Sequence, residues 1–192
     1  MANEFYALMG RMRYITRWGL MRNTFSENIQ EHCHQVAVLA HALALIRRDI
    51  LHLSGPDPDK CAVAALYHDA SEILTGDLPT PIKYYNPDMK AAYKQVEKVA
   101  GNRLLDMLPP QLRDSYAPWV LEEDKEVLPI VKAADKLSAL IKCIEEAKAG
   151  NREFDKAYES TLASIHALEC EPAEIFLREF IESYGLTLDQ LR

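Results

Sequence analysis

Residues 65–81, ALYHDASEILTGDLPTP, begin as an apolar helix and end in a glycine and two prolines. Within five positions this stretch carries three ionisable side chains, those of His68, Asp69 and Glu72. At about 100° per residue in an α-helix, the three fall within about one third of the circumference. Burying such groups costs free energy unless they are paired or hydrated. We therefore expect the three side chains to share one polar space for a functional reason.

Apolar residues in the flanking segments recur at helical intervals, and no segment alternates as a strand does. After His32 the stripe consists of Val36, Leu39, Leu43, Ile46 and Ile50, and a shorter one consists of Phe5, Leu8, Met9, Met12 and Ile15. Caps, glycines and prolines delimit the later helices. We predict these from Asp57 or Asp59 to Gly76, over 87–108, from Asp124 to 150–151, over 153–169 and over 172–184. The sequence thus predicts one all-α domain, a helical bundle over residues 1–192.

Composition excludes several classes of protein. The 192 residues carry a formal charge of −7 at neutral pH, so a basic face for nucleic-acid polymers or anionic membranes is not expected. The longest apolar run, 36–46, is interrupted by His41 and is too short to span a bilayer. The four cysteines are widely separated, which is typical of reduced thiols. We expect a cytoplasmic protein that binds no nucleic-acid polymer and no membrane.

Two further ionisable residues occupy inward positions of other helices. His32 begins the first apolar stripe, and Asp135 lies within the apolar segment 130–137. Taken singly, His32 could be a satisfied core residue, His68 and Asp69 a local hydrogen bond, and Asp135 a solvated partner of Lys136. Together they need a common explanation. Imidazoles and carboxylates that converge from separate helices of a bundle are typical of a divalent metal site.

The order His32, His68-Asp69, Asp135 resembles the signature of the HD-domain metal-dependent phosphohydrolases. Four longer strings are similar to those of one branch, the bacterial 5′-deoxynucleotidases. They are RWGLMRN at 17–23, EHCHQVAVLAHALA at 31–44, YHDASEILTGDLPTPIKYYN at 67–86 and KAADKLSALIKCIEE at 132–146. The resemblance covers most of the chain and is weakest toward its C-terminus. It implies an HD-type helical bundle.

The resemblance also implies a cofactor and a set of site residues. The cofactor would be one divalent metal ion, such as Co²⁺ or Mn²⁺. The implied metal ligands are His32, His68, Asp69 and Asp135. The implied substrate contacts are Arg17, Trp18, Asp69, Asp77, Leu78, Pro79, Thr80 and Asp135. Arg17 would orient the phosphate, and Glu72 would act on the attacking water.

The chemistry of phosphate monoester hydrolysis suits these residues. Arg17 offers a planar fork of donors that matches phosphate, and it lies in a local basic patch, since no acidic residue occurs between Glu4 and Glu27. We interpret Glu72 as the general base, although taken alone it could be an exposed helix residue. Trp18 could wall the sugar or belong to the core. Asp77 can accept a hydrogen bond from a sugar hydroxyl.

The predicted activity is hydrolysis of deoxyribonucleoside 5′-monophosphates to deoxynucleosides and phosphate, with deoxyribose preferred over ribose. One alternative is an HD-domain hydrolase of another nucleotide, and a second is a non-catalytic nucleotide-binding regulator. The family resemblance also suggests a homodimer, which apolar residues such as Phe176, Phe180 and Tyr184 would permit. His34 is expected on the opposite side of its helix from His32, with His41, at the surface or in an interface.

Overall fold

Helices account for all the regular elements in the part of the chain that the structure describes. The computed structural model describes residues 3–83 and 85–191, except for the side chains of Thr80 and Pro81. The helices are α1 (Phe5–Met9), α2 (Ile29–Leu45), α3 (Pro58–Tyr67), α4 (Glu72–Thr75), α5 (Thr80–Lys83), α6 (Pro87–Leu105), α7 (Pro110–Val120), α8 (Leu128–Lys148), α9 (Asp155–His166) and α10 (Glu171–Glu179). The all-α prediction is confirmed. No helix within the described residues is long and apolar enough to cross a bilayer.

Capping residues explain where the main helices begin. The Asn28 side chain accepts a hydrogen bond from the Glu31 backbone N–H and Glu31 returns one, which forms a capping box at the start of α2. Asp57 caps α3, with Pro58 in the first turn. Pro129 lies in the first turn of α8, where a missing N–H costs no hydrogen bond. These short-range signals are the part of the helix pattern that a sequence displays most directly.

The core lies where α2, α3, α8 and α10 meet. Val36, Leu39, Leu43 and Ile46 of the predicted stripe are buried there, against Leu137, Leu140 and Ile141 of α8. A second apolar cluster joins α1 to α6 and α7 around Phe5 and Leu104. The isolated antiparallel bridge between Thr16 and Asn28 attaches the N-terminal segment to the start of α2. The polar residues of interest therefore lie on helices that a continuous core holds rigidly.

Three local predictions about helices are wrong. Ile50 is 55% exposed, because residues 46–50 form a wider π-helical turn that shifts the stripe out of phase. The segment after Pro109 forms α7, a helix that the sequence reading missed because Pro110 and Pro118 look like breaks. The predicted helix ending at Gly76 is interrupted by a turn at residues 68–71. This last difference shapes the candidate site.

The C-terminal apolar residues do not form one free surface. Phe176 is only 6% exposed and belongs to the main core. Phe180 is 45% exposed and its ring centroid lies 5.3 Å from that of Phe176. Tyr184 is half-buried against the core. Of the three residues that would permit a dimer, Phe176 is therefore unavailable for contacts with another chain.

Candidate active site

The HDASE stretch forms a tight turn between two helices. His68 is the residue that caps the end of α3, and Glu72 is the first residue of α4. Backbone hydrogen bonds from Ala70 to Tyr67 (2.9 Å) and from Glu72 to Asp69 (3.0 Å) close the turn. The turn brings His68, Asp69 and Glu72 to one space, as the helical pattern predicted, although the backbone between them is not a continuous helix.

Four side chains from three parts of the fold meet at this turn. His32 Nε2, from the first turns of α2, lies 3.2 Å from Asp135 Oδ1 on α8 and 3.5 Å from Asp69 Oδ2. His68 Nε2 lies 3.2 Å from the same Asp69 oxygen. His32 is fully buried, and the imidazole rings of the two histidines are 5.2 Å apart between centroids. The structure thus brings together all four residues predicted as ligands.

The two Nε2 atoms fit a metal ion better than they fit their neighbours. Both are buried, and within the described residues neither makes a hydrogen bond. Donors bound about 2.0–2.2 Å from one cation lie about 3–3.5 Å from each other, which is the spacing of these nitrogens and carboxylate oxygens. Donor atoms of His32, His68 and Asp135 all lie within 4.8 Å of one another. A metal site built from imidazoles and carboxylates is expected to show buried imidazole nitrogens that lack a hydrogen bond and face carboxylates.

The other ring nitrogen of each histidine is held by the protein. His68 Nδ1 donates to the Ala65 carbonyl oxygen at 2.7 Å. His32 Nδ1 lies 3.1 Å from Ser138 Oγ, and Ser138 in turn donates to Gln35 Oε1 at 2.6 Å. The Ser138 hydroxyl donates its hydrogen to Gln35, so Ser138 Oγ accepts the hydrogen bond from His32 Nδ1–H. The lone pair of His32 Nε2 is then free. Such outer hydrogen bonds orient metal-binding imidazoles.

Charges in the site hold its carboxylates ionised. Burial alone would raise the pKa of Asp69, but His68, His32 and Arg17 hold it well below its usual range. Burial likewise opposes ionisation of Asp135, whereas the contact with His32 lowers its pKa to about 2. Burial also lowers the pKa of His32, with a further contribution from the Arg17 charge. The site therefore offers two carboxylates and a neutral imidazole at neutral pH.

His68 behaves differently from His32. Burial opposes its protonation, but Asp69 and the Cys33 thiol raise the pKa of His68 well above its ordinary value. The negative field that favours a proton on His68 is the same field that favours a cation between the two histidines. A bound divalent ion would replace that proton, as metal binding to histidine requires.

Glu72 is buried at the edge of this cluster. It is only 5% exposed, and its Oε2 has no hydrogen-bond partner among the residues that the structure describes. Burial, with Asp69 and Asp77 nearby, raises the pKa of Glu72 to about 9. The surface interpretation of Glu72 is therefore wrong. An unpaired buried carboxyl beside a candidate metal site is the arrangement expected of a general acid or base.

Arg17 and Trp18 lie on the other side of Asp69. Arg17 Nη1 is 3.6 Å from Asp69 Oδ2. Burial would lower the pKa of Arg17, but the charges of Asp69, Asp135 and Glu27 outweigh burial and raise this pKa above its usual value. The Trp18 ring packs at 5.3 Å from the Phe154 ring, and the Trp18 backbone has φ of 58°. One side chain that the sequence reading passed over joins them, since Glu27 contacts both Arg17 and Trp18.

The segment after Gly76 lies beside Arg17 and Trp18. Gly76 ends α4 with φ of 74°, a left-handed conformation that favours glycine. Burial raises the pKa of Asp77, whereas the Arg17 charge and the Trp18 backbone N–H lower it, so these three residues are neighbours. Leu78 and Pro79 follow and are half-buried. The side chain of Thr80 lies outside the described residues.

Helix α6 contacts the segment 76–83. Lys83 Nζ contacts Glu97 Oε1 at 2.6 Å and lies 4.7 Å from the Tyr93 ring centroid. The Tyr93 hydroxyl donates to the Gly76 carbonyl oxygen at 3.5 Å. Helix α6 therefore contacts both Gly76, where α4 ends, and Lys83, the last residue of α5.

The remaining histidines of the first stripe lie away from the site. His34 is exposed, and His41 Nε2 lies 3.6 Å from Asp59 Oδ1 at the start of α3. Besides Glu27, the sequence reading also missed Ser138. Its position three residues after Asp135 on an apolar helix was the available signal, because residues three apart share a helix face.

Solved structures show which fold this chain has. A phosphohydrolase of the HD-domain type from Listeria innocua superimposes with a TM-score of 0.78 at 20% identity, covering 94% of this chain and 88% of that one. A cyanophage S-2L HD phosphohydrolase (DatZ), bound to dA and one catalytic Zn²⁺ ion, superimposes with a TM-score of 0.66 at 20% identity, covering 92% and 96%. The fold is that of the HD-domain phosphohydrolases.

Sequence comparison identifies the branch. The profile described as 5′-deoxynucleotidase YfbR-like matches residues 4–184. A 5′-deoxynucleotidase of Vibrio cholerae serotype O1 is 45% identical over 192 residues, which cover 98% of both chains. The chain therefore belongs to the YfbR-like 5′-deoxynucleotidase family. The resemblance stated from the motifs is confirmed.

Proposed function

We propose that the protein is a metal-dependent 5′-deoxynucleotidase, which hydrolyses deoxyribonucleoside 5′-monophosphates to deoxynucleosides and inorganic phosphate. The observation that carries the proposal is the pair of buried, unpaired imidazole nitrogens that face shared carboxylate oxygens at 3.2–3.5 Å. Membership of the family, at 45% identity to a named 5′-deoxynucleotidase, supports the reaction.

We assign one divalent ion to His32, His68, Asp69 and Asp135. Mixed imidazole and carboxylate donors suit Co²⁺, Mn²⁺ or Zn²⁺, and the cyanophage neighbour holds Zn²⁺. When bound, such an ion polarises phosphate oxygens and makes a water molecule more acidic. Ser138 and the Ala65 carbonyl oxygen keep the two Nε2 lone pairs turned toward it.

Two side chains of the chain itself act on the substrate. Arg17 binds the phosphate through the donors that face Asp69, and its charge opposes the negative charge that grows in the transition state. Glu72 takes one proton of the attacking water as the water oxygen bonds to phosphorus and the bond from phosphorus to the 5′-oxygen breaks. The departing 5′-oxygen takes a proton from solvent water and becomes the 5′-hydroxyl of the deoxynucleoside. Burial keeps Glu72 a strong enough base for this step once a nearby cation favours its ionised form.

Selection of deoxyribose belongs to the wall formed by Trp18 and the segment 77–80. We assign Asp77 to accept a hydrogen bond from a sugar hydroxyl, which its position beside Arg17 and Trp18 supports. The contacts of Gly76 and Lys83 with α6 would resist widening around an added 2′-hydroxyl. Exclusion by shape alone discriminates by about 10²-fold. The ratio of kcat/KM for a deoxyribonucleotide and its ribonucleotide tests this point, and equal values would remove the preference.

The decisive experiment is phosphate release from a panel of nucleotides. The panel holds deoxyribo- and ribonucleoside 5′-monophosphates, 3′-monophosphates and 5′-triphosphates, each with protein stripped by a chelator and then resupplied with Co²⁺, Mn²⁺ or Zn²⁺. We expect metal-dependent turnover that is greatest with deoxyribonucleoside 5′-monophosphates. Greatest turnover of triphosphates would favour another nucleotide hydrolase, and tight binding without turnover would favour a regulator. Full activity of verified metal-free protein would refute the metal-dependent mechanism.

Assembly and location are further parts of the proposal. We infer a homodimer, which the 45% exposed Phe180 supports on the C-terminal face, and light scattering of the purified protein tests it. We also infer a cytoplasmic location, which the free thiols Cys33, Cys61, Cys143 and Cys170 support. Cell fractionation with an antibody against the chain tests the location.

A further inference from the structure

Glu27 contacts Arg17 and Trp18, the two side chains proposed to bind phosphate and sugar. A single oxygen of its carboxylate, Oε2, accepts a hydrogen bond from Arg17 Nε at 3.1 Å and one from Trp18 Nε1 at 2.8 Å. The side chains of Glu27 and Arg17 are only 12% and 13% exposed. Both contacts are therefore poorly screened by water.

The backbone around Glu27 is as firmly held as its side chain. The Arg17 backbone N–H donates to the Glu27 carbonyl oxygen at 2.9 Å, and the Ile29 N–H donates to the Ile15 carbonyl oxygen at 3.0 Å. Glu27 immediately precedes Asn28, the capping residue of α2. The carboxylate thus projects from the rigid start of the helix that also carries His32.

Arg17 and Trp18 both need an external restraint. Arg17 faces Asp69 at 3.6 Å, so an unrestrained guanidinium would swing fully onto carboxylates that are assigned to the metal. The hydrogen bond to Glu27 holds Arg17 Nε away from Asp69, so that only the Nη atoms of Arg17 face the site. Trp18 has φ of 58°, a left-handed conformation that a bulky residue keeps only where its surroundings impose it.

We propose that Glu27 is a positioning residue that sets the orientations of Arg17 and Trp18 together. The inference rests on the proposed function for the roles of those two side chains toward phosphate and sugar. Through one oxygen atom, Glu27 couples the residue that holds the phosphate to the residue that walls the sugar. Loss of Glu27 would misplace both while leaving all four proposed metal ligands in place.

The test compares Glu27→Ala, Glu27→Gln and a control, Glu153→Ala. Glu153 pairs with Arg22 in the same loop at 2.7 Å but forms no hydrogen bond to Arg17 or Trp18. Losing hydrogen bonds to a charged group is expected to change ligand affinity by about 10- to 100-fold. We therefore expect Glu27→Ala to raise KM for a deoxyribonucleoside 5′-monophosphate by that factor and to lower kcat, with metal content unchanged. Glu27→Gln keeps an acceptor oxygen and should recover part of the loss, and Glu153→Ala should match the unaltered protein.

Fluorescence supplies a readout that is independent of turnover. The chain has two tryptophans, so in a Trp119→Phe background the emission reports on Trp18 alone. We expect Glu27→Ala to increase quenching of Trp18 by acrylamide, and Glu153→Ala to leave it unchanged. Unchanged quenching and KM in Glu27→Ala would overturn the proposal, as would an equal effect of Glu153→Ala. If the unaltered protein hydrolyses no nucleotide, the proposed function fails, whereas the quenching result still decides whether Glu27 restrains Trp18.

Discussion

Two clusters of ionisable side chains lie along one face of α8, and they differ in how completely they are paired. In the first half of the helix, the half-exposed Asp135 faces the buried His32, whose Nε2 makes no hydrogen bond within the described part of the chain. About two turns further on, Lys142 Nζ contacts Glu146 Oε1 at 2.5 Å and donates to the Phe25 carbonyl oxygen at 2.8 Å. The Thr24 hydroxyl and the Asn151 side-chain amide also donate to the Glu146 carboxylate, at 2.7 Å and 2.8 Å.

The difference separates a structural cluster from a chemical one. Lys142 and Glu146 have every strong contact that a buried ion pair needs, so they attach the loop around Thr24 and Phe25 to α8. Among the described residues, His32, His68 and Glu72 keep buried atoms without a hydrogen bond, and a further partner would satisfy them. Both clusters contain buried ionisable side chains. They differ in how many of the buried polar atoms have a hydrogen-bond partner.

The largest effect should follow from removing a proposed ligand. His68→Ala or Asp69→Ala should abolish turnover and lower the bound metal, because each removes one of the four proposed ligands of a single ion. Elemental analysis and phosphate release measure the two effects. His34→Ala, at an exposed position on α2, is the control and should retain both. Equal damage by His34→Ala would break the assignment of His68.

Glu72 should separate chemistry from binding. Glu72→Gln should lower kcat by about 10²–10⁴-fold, the range for a general base, while leaving substrate affinity and metal content nearly unchanged. Single-turnover hydrolysis, nucleotide titration and metal analysis of one sample measure the three quantities. Arg17→Ala provides the contrast, since it should weaken binding as well as rate. Near-normal kcat in Glu72→Gln would exclude Glu72 from the mechanism, and loss of metal would make it a ligand.

The paired cluster should affect stability instead. Glu146→Ala leaves the Lys142 ammonium buried without its partner, which costs about 3–5 kcal/mol of unfolding free energy. Urea unfolding measures the loss. The double variant Lys142→Met with Glu146→Leu should recover most of it, because neither charge is then stranded. Glu179→Ala, from an exposed pair with Arg178, is the control and should change stability by less than about 1 kcal/mol. A loss of similar size in both single variants would refute the comparison.

A smaller effect should appear as the pH falls. Burial would raise the pKa of Glu146, but hydrogen bonds from Lys142, Thr24 and Asn151 lower it to about 2, from an ordinary value of 4.5. Because the folded state favours the ionised carboxylate, its contribution is complete above pH 4.5 and is lost as the pH falls toward 2. The difference in unfolding free energy between the unaltered protein and Glu146→Gln should shrink over that interval. A constant difference would contradict the assignment.

Short-range signals made much of the fold predictable. The capping box at Asn28, the cap at Asp57 and the early proline of α8 are local features, and the helices begin at or beside them. The break at residues 68–71 was not predictable from periodicity, because a closed turn preserved the shared direction of His68, Asp69 and Glu72. Helix α7 was hidden by Pro110, which is compatible with a first turn, and by Pro118 near its end.

The sequence by itself determined the helical class, the family motifs and the identity of the side chains in the site, since periodicity, caps and residue types are local properties. Only the tertiary structure decided which of those side chains are satisfied. Ser138 on one helix orients His32 on another, Glu27 reaches Arg17 and Trp18 across a loop, and Glu146 accepts from Thr24, which lies far away in the chain. Hydrogen bonds of this kind depend on atomic distances between separate elements, which helical periodicity does not encode.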